Sequence, residues 1–234
     1  VQSPALRLIT EREKEIEKFI KKEYWSIHLD TQKDSKFSTK LVTFENKKVE
    51  QFTVTNEKQQ KEIVGELILK SAGKTKVSRV DKKQRTRKPS SPFNTSTMQQ
   101  EGVRKLGFTT KRTMIIAQQL YEGIKIGEGA VGLISYMRTG SMTLSKEAIE
   151  HARGYLKKNY SPDFLPNKAI AYKTKSKNAQ EAHEAIRPTD IIRAPDTLKK
   201  YLSPDQHKLY DLIWNRALSS QMESAKVERK TRTK

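Results

Sequence analysis

An α+β protein of more than one domain is predicted by three features of the sequence. Helix-period apolar runs alternate with stretches of period-two alternation. A strongly basic, proline-flanked segment between residues 82 and 92 interrupts them. Across 234 residues, 34% apolar composition with 2 Trp, 7 Phe and 8 Tyr supplies core for one or two domains.

Charge narrows the partner class. Forty-seven Lys and Arg against 27 Asp and Glu give a net charge of +20, which favours polyanions through phosphate neutralisation and counterion release, so nucleic acid leads. The sequence has no apolar run of about 18 residues and no basic-apolar-small signal at its start, so neither membrane insertion nor secretion is expected. Zero Cys excludes disulfides and Cys-ligated zinc within this segment.

Ser3-Pro4 suits a helix start, and Leu6, Ile9, Ile16, Phe19 and Ile20 recur at roughly helical spacing, so residues 3–22 should form an amphipathic helix. Trp25, Ile27 and Leu29 alternate with Ser26, His28 and Asp30. Leu41 to Phe44 and Val49 to Val54 alternate likewise about a Glu45-Asn46-Lys47 turn, and all three runs read as antiparallel strands. Asn56 with Gln59 resembles a capping box opening a helix through Ile63, Val64, Leu67 and Ile68, which Gly73 ends before an extended Thr75 to Val80. Together these form a small α+β domain. The basic run 82–88, followed by Pro89 and Pro92, is the expected boundary; such a run is more often a solvated linker than a DNA contact, and its spacing assigns it no role.

Beyond the boundary, Thr97 to Leu106 ends at Gly107, and Thr110 caps a second helix with Met114, Ile115 and Ala117 to Leu120 on its apolar face, before Gly123. The pair resembles a helix-turn-helix, although a plain helical hairpin in a core is the commoner use of that pattern. Gly127, Gly129 and Gly132 spell G-x-G-x-x-G, but between a helix and a strand rather than after a strand and before a helix, so a turn is expected and not a dinucleotide site. Leu133 to Met137 then reads as a short buried strand.

The chemistry centres on Ser135-Tyr136-Met137-Arg138-Thr139-Gly140-Ser141. Period two puts Tyr136 and Arg138 on one side. A phenol with pKa about 10 is a poor nucleophile at neutral pH, and an adjacent guanidinium favours the phenolate and balances charge on a phosphodiester under attack. Taken alone, a tyrosine beside a strand more often packs its ring in a core. In a second cluster, Asn178 as cap and Glu181 at the third position open a short helix that stops at Pro188, with His183 and Arg187 four apart. His183 could donate to a phosphate oxygen or move a proton; His28, His151 and His207 read as ordinary histidines.

In combination these segments are far more specific. Pro92 to Gln100, Leu106-Gly107-Phe108, Thr113 to Gly123, Ser135 to Ser141 and Gln180 to Pro188 occur in the order found in type IA DNA topoisomerases, and the sequence resembles the bacterial topoisomerase I branch of that family over nearly its whole length. The opening Val1 to Leu6 and the run Tyr210 to Asn215 also match. The resemblance implies a helical domain over residues 94–194, with a helix-turn-helix-like core and the active-site tyrosine. That domain would be inserted in a strand-rich arch domain split between 24–93 and 195–234 and continuing past the last residue, with residues 1–23 a helix leading in from the gate domain.

By the same resemblance, Tyr136 is the nucleophile that forms a 5′-phosphotyrosine link, Arg138 supports it electrostatically, His183 contacts the scissile phosphate, and Gln2 and Arg187 contact DNA. The implied activity is ATP-independent relaxation of negatively supercoiled DNA by a monomeric, cytoplasmic, nucleoid-associated bacterial enzyme acting on single-stranded or underwound DNA. Magnesium would be held by a Toprim domain outside this chain, since no Asp-x-Asp-x-Glu string occurs here; the chain alone is then expected to be inactive and to hold no metal. The family pattern places Asp where this chain has Gly140. Topoisomerase III and reverse gyrase are alternatives within the superfamily. A non-catalytic single-stranded-DNA-binding module is the alternative from another class, and it has no need of Tyr136, Arg138 and His183 together.

Overall fold

The computed structural model describes residues 2–31, 37–127, 129–172 and 184–233. Among these are seven α-helices and eight strands. The chain divides into two compact units, Val1–Val80 with Arg232–Lys234, and Asp81–Thr231.

The first unit opens with α1 (Gln2–Glu17). This helix is shorter than the expected 3–22, because the amides of Lys18 and Phe19 close it on the carbonyls of Lys14 and Ile16. It also begins at Gln2, so Ser3 lies inside rather than capping it, and Pro4 sits in a first turn whose amides have no helical partner in any case. None of its residues is buried, and Leu6, Ile9 and Ile16 are exposed. β1 (His28–Thr31) pairs antiparallel with β2 (Phe37–Lys40), with Leu29 opposite Thr39. Trp25 and Ile27 fall outside β1, though the Trp25 amide donates to Val54 and the Ile27 carbonyl accepts from Leu41.

β3 (Thr43–Phe44) and β4 (Lys47–Lys48) form a tight hairpin with Glu45 and Asn46 at positive φ, the geometry of a two-residue primed turn. The expected strand Val49 to Val54 does not form; the Thr53 amide bonds back to Glu50 and the segment turns. α2 (Glu57–Ser71) is capped by Asn56, which accepts from the Gln59 amide at 2.9 Å. The Gln59 side chain returns to Thr55 rather than to Asn56, so the reciprocal box is incomplete. Ala72 and Gly73, both left-handed, end the helix.

The boundary reading needs a correction. The basic run is no linker: β5 (Arg79–Arg87) contains most of it and pairs with β8 (Ala225–Thr233), with the division between units falling inside β5. Strand pairing across so long a sequence separation satisfies backbone groups that composition alone suggested were solvated. Residues 75–78, expected to be extended, carry no strand.

The second unit holds the main core. Asn94 caps α3 (Thr95–Leu106) with a full capping box to Thr97, two residues ahead of the expected start. Thr109, not Thr110, caps α4 (Thr110–Glu122), accepting from the Arg112 amide at 3.1 Å. Gly107 turns the chain between them at φ 69, and Gly102 lets the helices cross closely, since a Cβ there would lie 2.7 Å from the Thr113 hydroxyl. The buried face of α4 is Thr113, Ile116, Ala117 and Leu120, leaving Ile115 exposed against expectation. β6 (Ile124–Ile126) and β7 (Gly129–Val131) make an antiparallel hairpin where a simple turn was expected.

α5 (Lys146–Asn159) is capped by Ser145. It is followed by a 3₁₀ turn (Pro162–Phe164), the short α6 (Pro195–Leu198) and α7 (Pro204–Ser219). α7 carries Leu209, Tyr210, Ile213, Trp214 and Leu218 into one core with Phe93, Met98, Leu120, Leu133, Met137, Leu156 and Ile186. Contacts therefore group residues 195–231 with 81–194.

Candidate active site

Tyr136 is held by backbone on two sides. Leu133, Ile134 and Met137 are buried, but they do not form the expected strand, because their peptide groups pair with three separate segments. The Leu133 amide donates to Leu120 at 2.7 Å, its carbonyl accepts from Thr189 at 3.0 Å, and Ile134 makes a single bridge to Pro188. Next to the tyrosine, Ser135 donates through its amide to the Arg187 carbonyl at 2.8 Å. Its hydroxyl donates to the Ala185 carbonyl at 2.8 Å and accepts from the Arg187 amide at 3.0 Å.

The other side is pinned by the start of α3. The Thr95 hydroxyl donates to the Met137 carbonyl at 2.7 Å and accepts from the Thr139 amide at 2.9 Å, while the Thr95 amide donates to the Thr139 carbonyl at 3.0 Å. Thr139 then accepts from the Ser141 amide, and Ser141 from the Thr143 amide. Through this stretch exposure alternates: Tyr136, Arg138 and Gly140 face out while Met137, Thr139 and Ser141 are buried. Period-two projection thus survives without a strand ladder.

The Tyr136 side chain is 37% exposed and its ring meets that of Tyr121 edge to face, with centroids 5.4 Å apart. Such pairing orients the ring. The chain's other well-packed tyrosines have different roles. Tyr210 is fully buried and donates to the Arg193 carbonyl at 2.8 Å, and burial pushes its phenol above the ordinary value. Burial raises Tyr172 as well, whose hydroxyl serves the Ser220 carbonyl at 3.0 Å. Neither suits attack on an outside phosphate.

Arg138 is exposed and has no ion-pair partner among the described residues. Arg187 is mostly covered; its guanidinium binds Glu184 at 2.6 Å and the Pro188 carbonyl at 3.0 Å. Burial pushes the Glu184 carboxyl up, but Arg187 and Ser145 outweigh it and hold the group below its ordinary value. Residues 184–188 are extended rather than the end of a helix, as the residue before proline favours, and Ile186 bridges Phe93. His183 and the proposed cap Asn178 lie outside the described residues. Gln2 is exposed at the first residue of α1, in the other unit.

The structure brings the Tyr136 and Arg187 segments together through Ser135. Sequence reasoning missed Ser135 as the connector, Thr95 as the clamp and Tyr121 as the ring partner. Tyr121 could have been suspected as an aromatic on the last turn of an amphipathic helix, whereas the two hydroxyl roles depend on contacts more than 40 residues apart. Gly140 is exposed, and a Cβ there would meet nothing within 4 Å. Among the described residues there is no group of three or more His, Cys, Asp or Glu that could hold a metal ion. No helix of the described residues is long and apolar enough to cross a membrane.

A family model described as DNA topoisomerase matches residues 1–233. DNA topoisomerase 1 of Xylella fastidiosa is 51% identical over 224 residues, covering 95% of this chain and 28% of that protein. Its counterpart in Rickettsia felis is 50% identical over 226 residues, and that of Campylobacter jejuni 47% over 227, each covering 96% of this chain. The chain thus spans about three tenths of the length of the curated relatives it matches. Among solved structures, full-length topoisomerase I from Thermotoga maritima matches with a TM-score of 0.74 and 34% identity, over 99% of this chain and 35% of that one.

Proposed function

Since this chain belongs to the type IA family of bacterial DNA topoisomerases, we propose that it is the strand-cleaving part of an enzyme that relaxes negative supercoils without ATP. The observation that carries the reading is an accessible Tyr136 on a loop whose backbone is bonded on one side to α3 and on the other to residues 185–189.

In this reading the Tyr136 phenol loses its proton as its oxygen attacks phosphorus in single-stranded or underwound DNA. The Oη–P bond forms, the P–O3′ bond breaks, and the departing 3′ oxygen takes up a proton. The 5′ end stays on the protein while a strand passes. The 3′ hydroxyl then attacks the phosphotyrosine, restoring phosphodiester and phenol. Each step exchanges one phosphate ester for another, so no ATP is consumed. Arg138, two residues on and also exposed, balances charge on the phosphate. His183 contacts the scissile phosphate, and Arg187 and Gln2 hold flanking DNA, as the motif resemblance implies.

Magnesium, which organises phosphate oxygens by Lewis-acid polarisation, is assigned to a Toprim domain of the whole protein outside these residues. The split organisation in sequence, 94–194 carrying the tyrosine between 24–93 and 195–234, belongs to the same reading, although residues 195–231 pack with 81–194; so do a monomeric whole protein and a place in the bacterial cytoplasm with the nucleoid.

The test compares the isolated chain with the whole protein on supercoiled plasmid with magnesium. The whole protein relaxes the plasmid and, when quenched with denaturant, carries DNA on the peptide containing Tyr136; the chain alone binds DNA without relaxing it or forming an adduct. Relaxation by the chain alone, or an adduct on another peptide, overturns the reading.

A further inference from the structure

The basic run that the active-site reading leaves unused is a fixed structural element. Within the second unit, β5 exposes Lys82, Lys83, Arg85 and Arg87, and the strand paired with it, β8, exposes Lys226, Arg229 and Lys230. Lys230 is partly offset by Glu228 at 3.1 Å. Residues 81–87 contain no apolar side chain, and residues 225–231 only Ala225 and Val227. Neither strand therefore has a stripe with which to pack against a further protein layer. Like charges on neighbouring strands repel, so a ribbon of this composition gains from a polyanion that lies along it.

Spacing and composition select the polyanion. Residues two apart on a strand lie on one side, so Lys83, Arg85 and Arg87 recur at about 6.6 Å. Adjacent phosphates of one B-form strand, about 3.4 Å apart along the axis and a tenth of a turn apart around it, are likewise roughly 6–7 Å apart through space. Successive cations can thus meet successive phosphates. No aromatic residue lies in 81–87 or 225–231, so the ribbon lacks the stacking platform by which proteins hold unpaired bases. A two-stranded ribbon also fits the major groove, with a phosphate wall on either side.

We propose that the β5–β8 ribbon is an arm that binds the backbone of duplex DNA, separate from the strand-cleaving surface around Tyr136. The inference rests on the proposed function only in taking DNA as the partner.

Fluorescence anisotropy with a labelled duplex and a labelled single strand of equal length, each across a salt series, tests it on the chain as it stands. The variant Lys83→Gln/Arg85→Gln/Arg87→Gln should lose duplex affinity, and its slope of log affinity against log salt should be shallower by about 2.7, three contacts at about 0.9 each. A control removing three exposed cations from α5, Lys146→Gln/Lys157→Gln/Lys158→Gln, should leave that slope nearly unchanged. An unchanged slope in the triple variant overturns the proposal. So does an equal effect in the control, a loss on the single strand as large as on the duplex, or no duplex binding by the unaltered chain. Because the assay reads equilibrium binding and is blind to cleavage, its failure leaves the Tyr136 assignment standing, and failure of Tyr136 leaves the ribbon result standing.

Discussion

Ser135→Ala should loosen the join between the Tyr136 loop and residues 185–187. The Ser135 hydroxyl donates to the carbonyl of Ala185, a fully buried residue, and accepts from the Arg187 amide. Removing it leaves a carbonyl and an amide without those partners, and each such group costs about 1–3 kcal/mol when water cannot replace the bond. Ser135 is only half-buried, so water recovers part of that loss. The lower end of the range for both groups, about 2 kcal/mol, is then expected, enough to lower a urea midpoint by about 1 M. Urea unfolding followed by fluorescence reads it: Trp214 is buried in the same unit, and Trp25→Phe removes the signal from the other. Ser135→Thr keeps both bonds and should recover the midpoint. A loss below about 0.5 kcal/mol in Ser135→Ala, the range of an ordinary surface change, refutes the idea that this hydroxyl holds the two segments together.

Three further outcomes follow from the same geometry. Gly140→Asp, which installs the residue that the motif resemblance implies there, should change the unfolding free energy from urea by no more than about 0.5 kcal/mol, because a Cβ there meets nothing within 4 Å; a larger loss contradicts the open space around that position. Gly132→Ala should cost about 1–3 kcal/mol in the same assay, since its Cβ would lie 2.6 Å from the Tyr121 carbonyl and push against the helix end that carries the ring partner of Tyr136. The Glu184 carboxyl titrates below its ordinary value in the folded chain, so the stability it contributes is complete above the unfolded glutamate pKa of about 4.3 and vanishes as pH falls through the lower folded value. The difference in urea midpoint between the chain and Glu184→Gln should therefore be present at neutral pH and close in acid, and an undiminished difference in acid rules out the Arg187 pairing as its source.

What the sequence could disclose was local. Gly107 and Gly123 marked the ends of α3 and α4 because helix termination needs only a few neighbouring residues. Outward projection of Tyr136 and Arg138 followed from a period of two that the extended backbone keeps even without a ladder. Long-range pairing was not legible: residues 82–88 looked like a linker because β8, which pairs with β5, lies far along the chain. Leu133 to Met137 looked like a strand because its apolar run is the same whether its peptides meet one neighbour or three. Glu184 to Arg187 was read as helix from a capping pattern, and the bridge from Ile186 to Phe93 won over that local preference. The family came from motif order, and a family model matches residues 1–233; the residue roles rest on the motif resemblance alone.

The most direct test of the central claim is covalent capture by Tyr136→Phe in the whole protein. The change removes one oxygen and keeps the ring that packs on Tyr121, so folding and noncovalent DNA binding should be nearly unchanged. A 5′-labelled and a 3′-labelled oligonucleotide are each incubated with magnesium and quenched in denaturant, and protein-linked label is counted. The unaltered protein should carry the DNA lying 3′ of the break, joined through its 5′ phosphate, and Tyr136→Phe should carry none. A covalent adduct that persists in Tyr136→Phe would move the nucleophile to another residue and contradict the account.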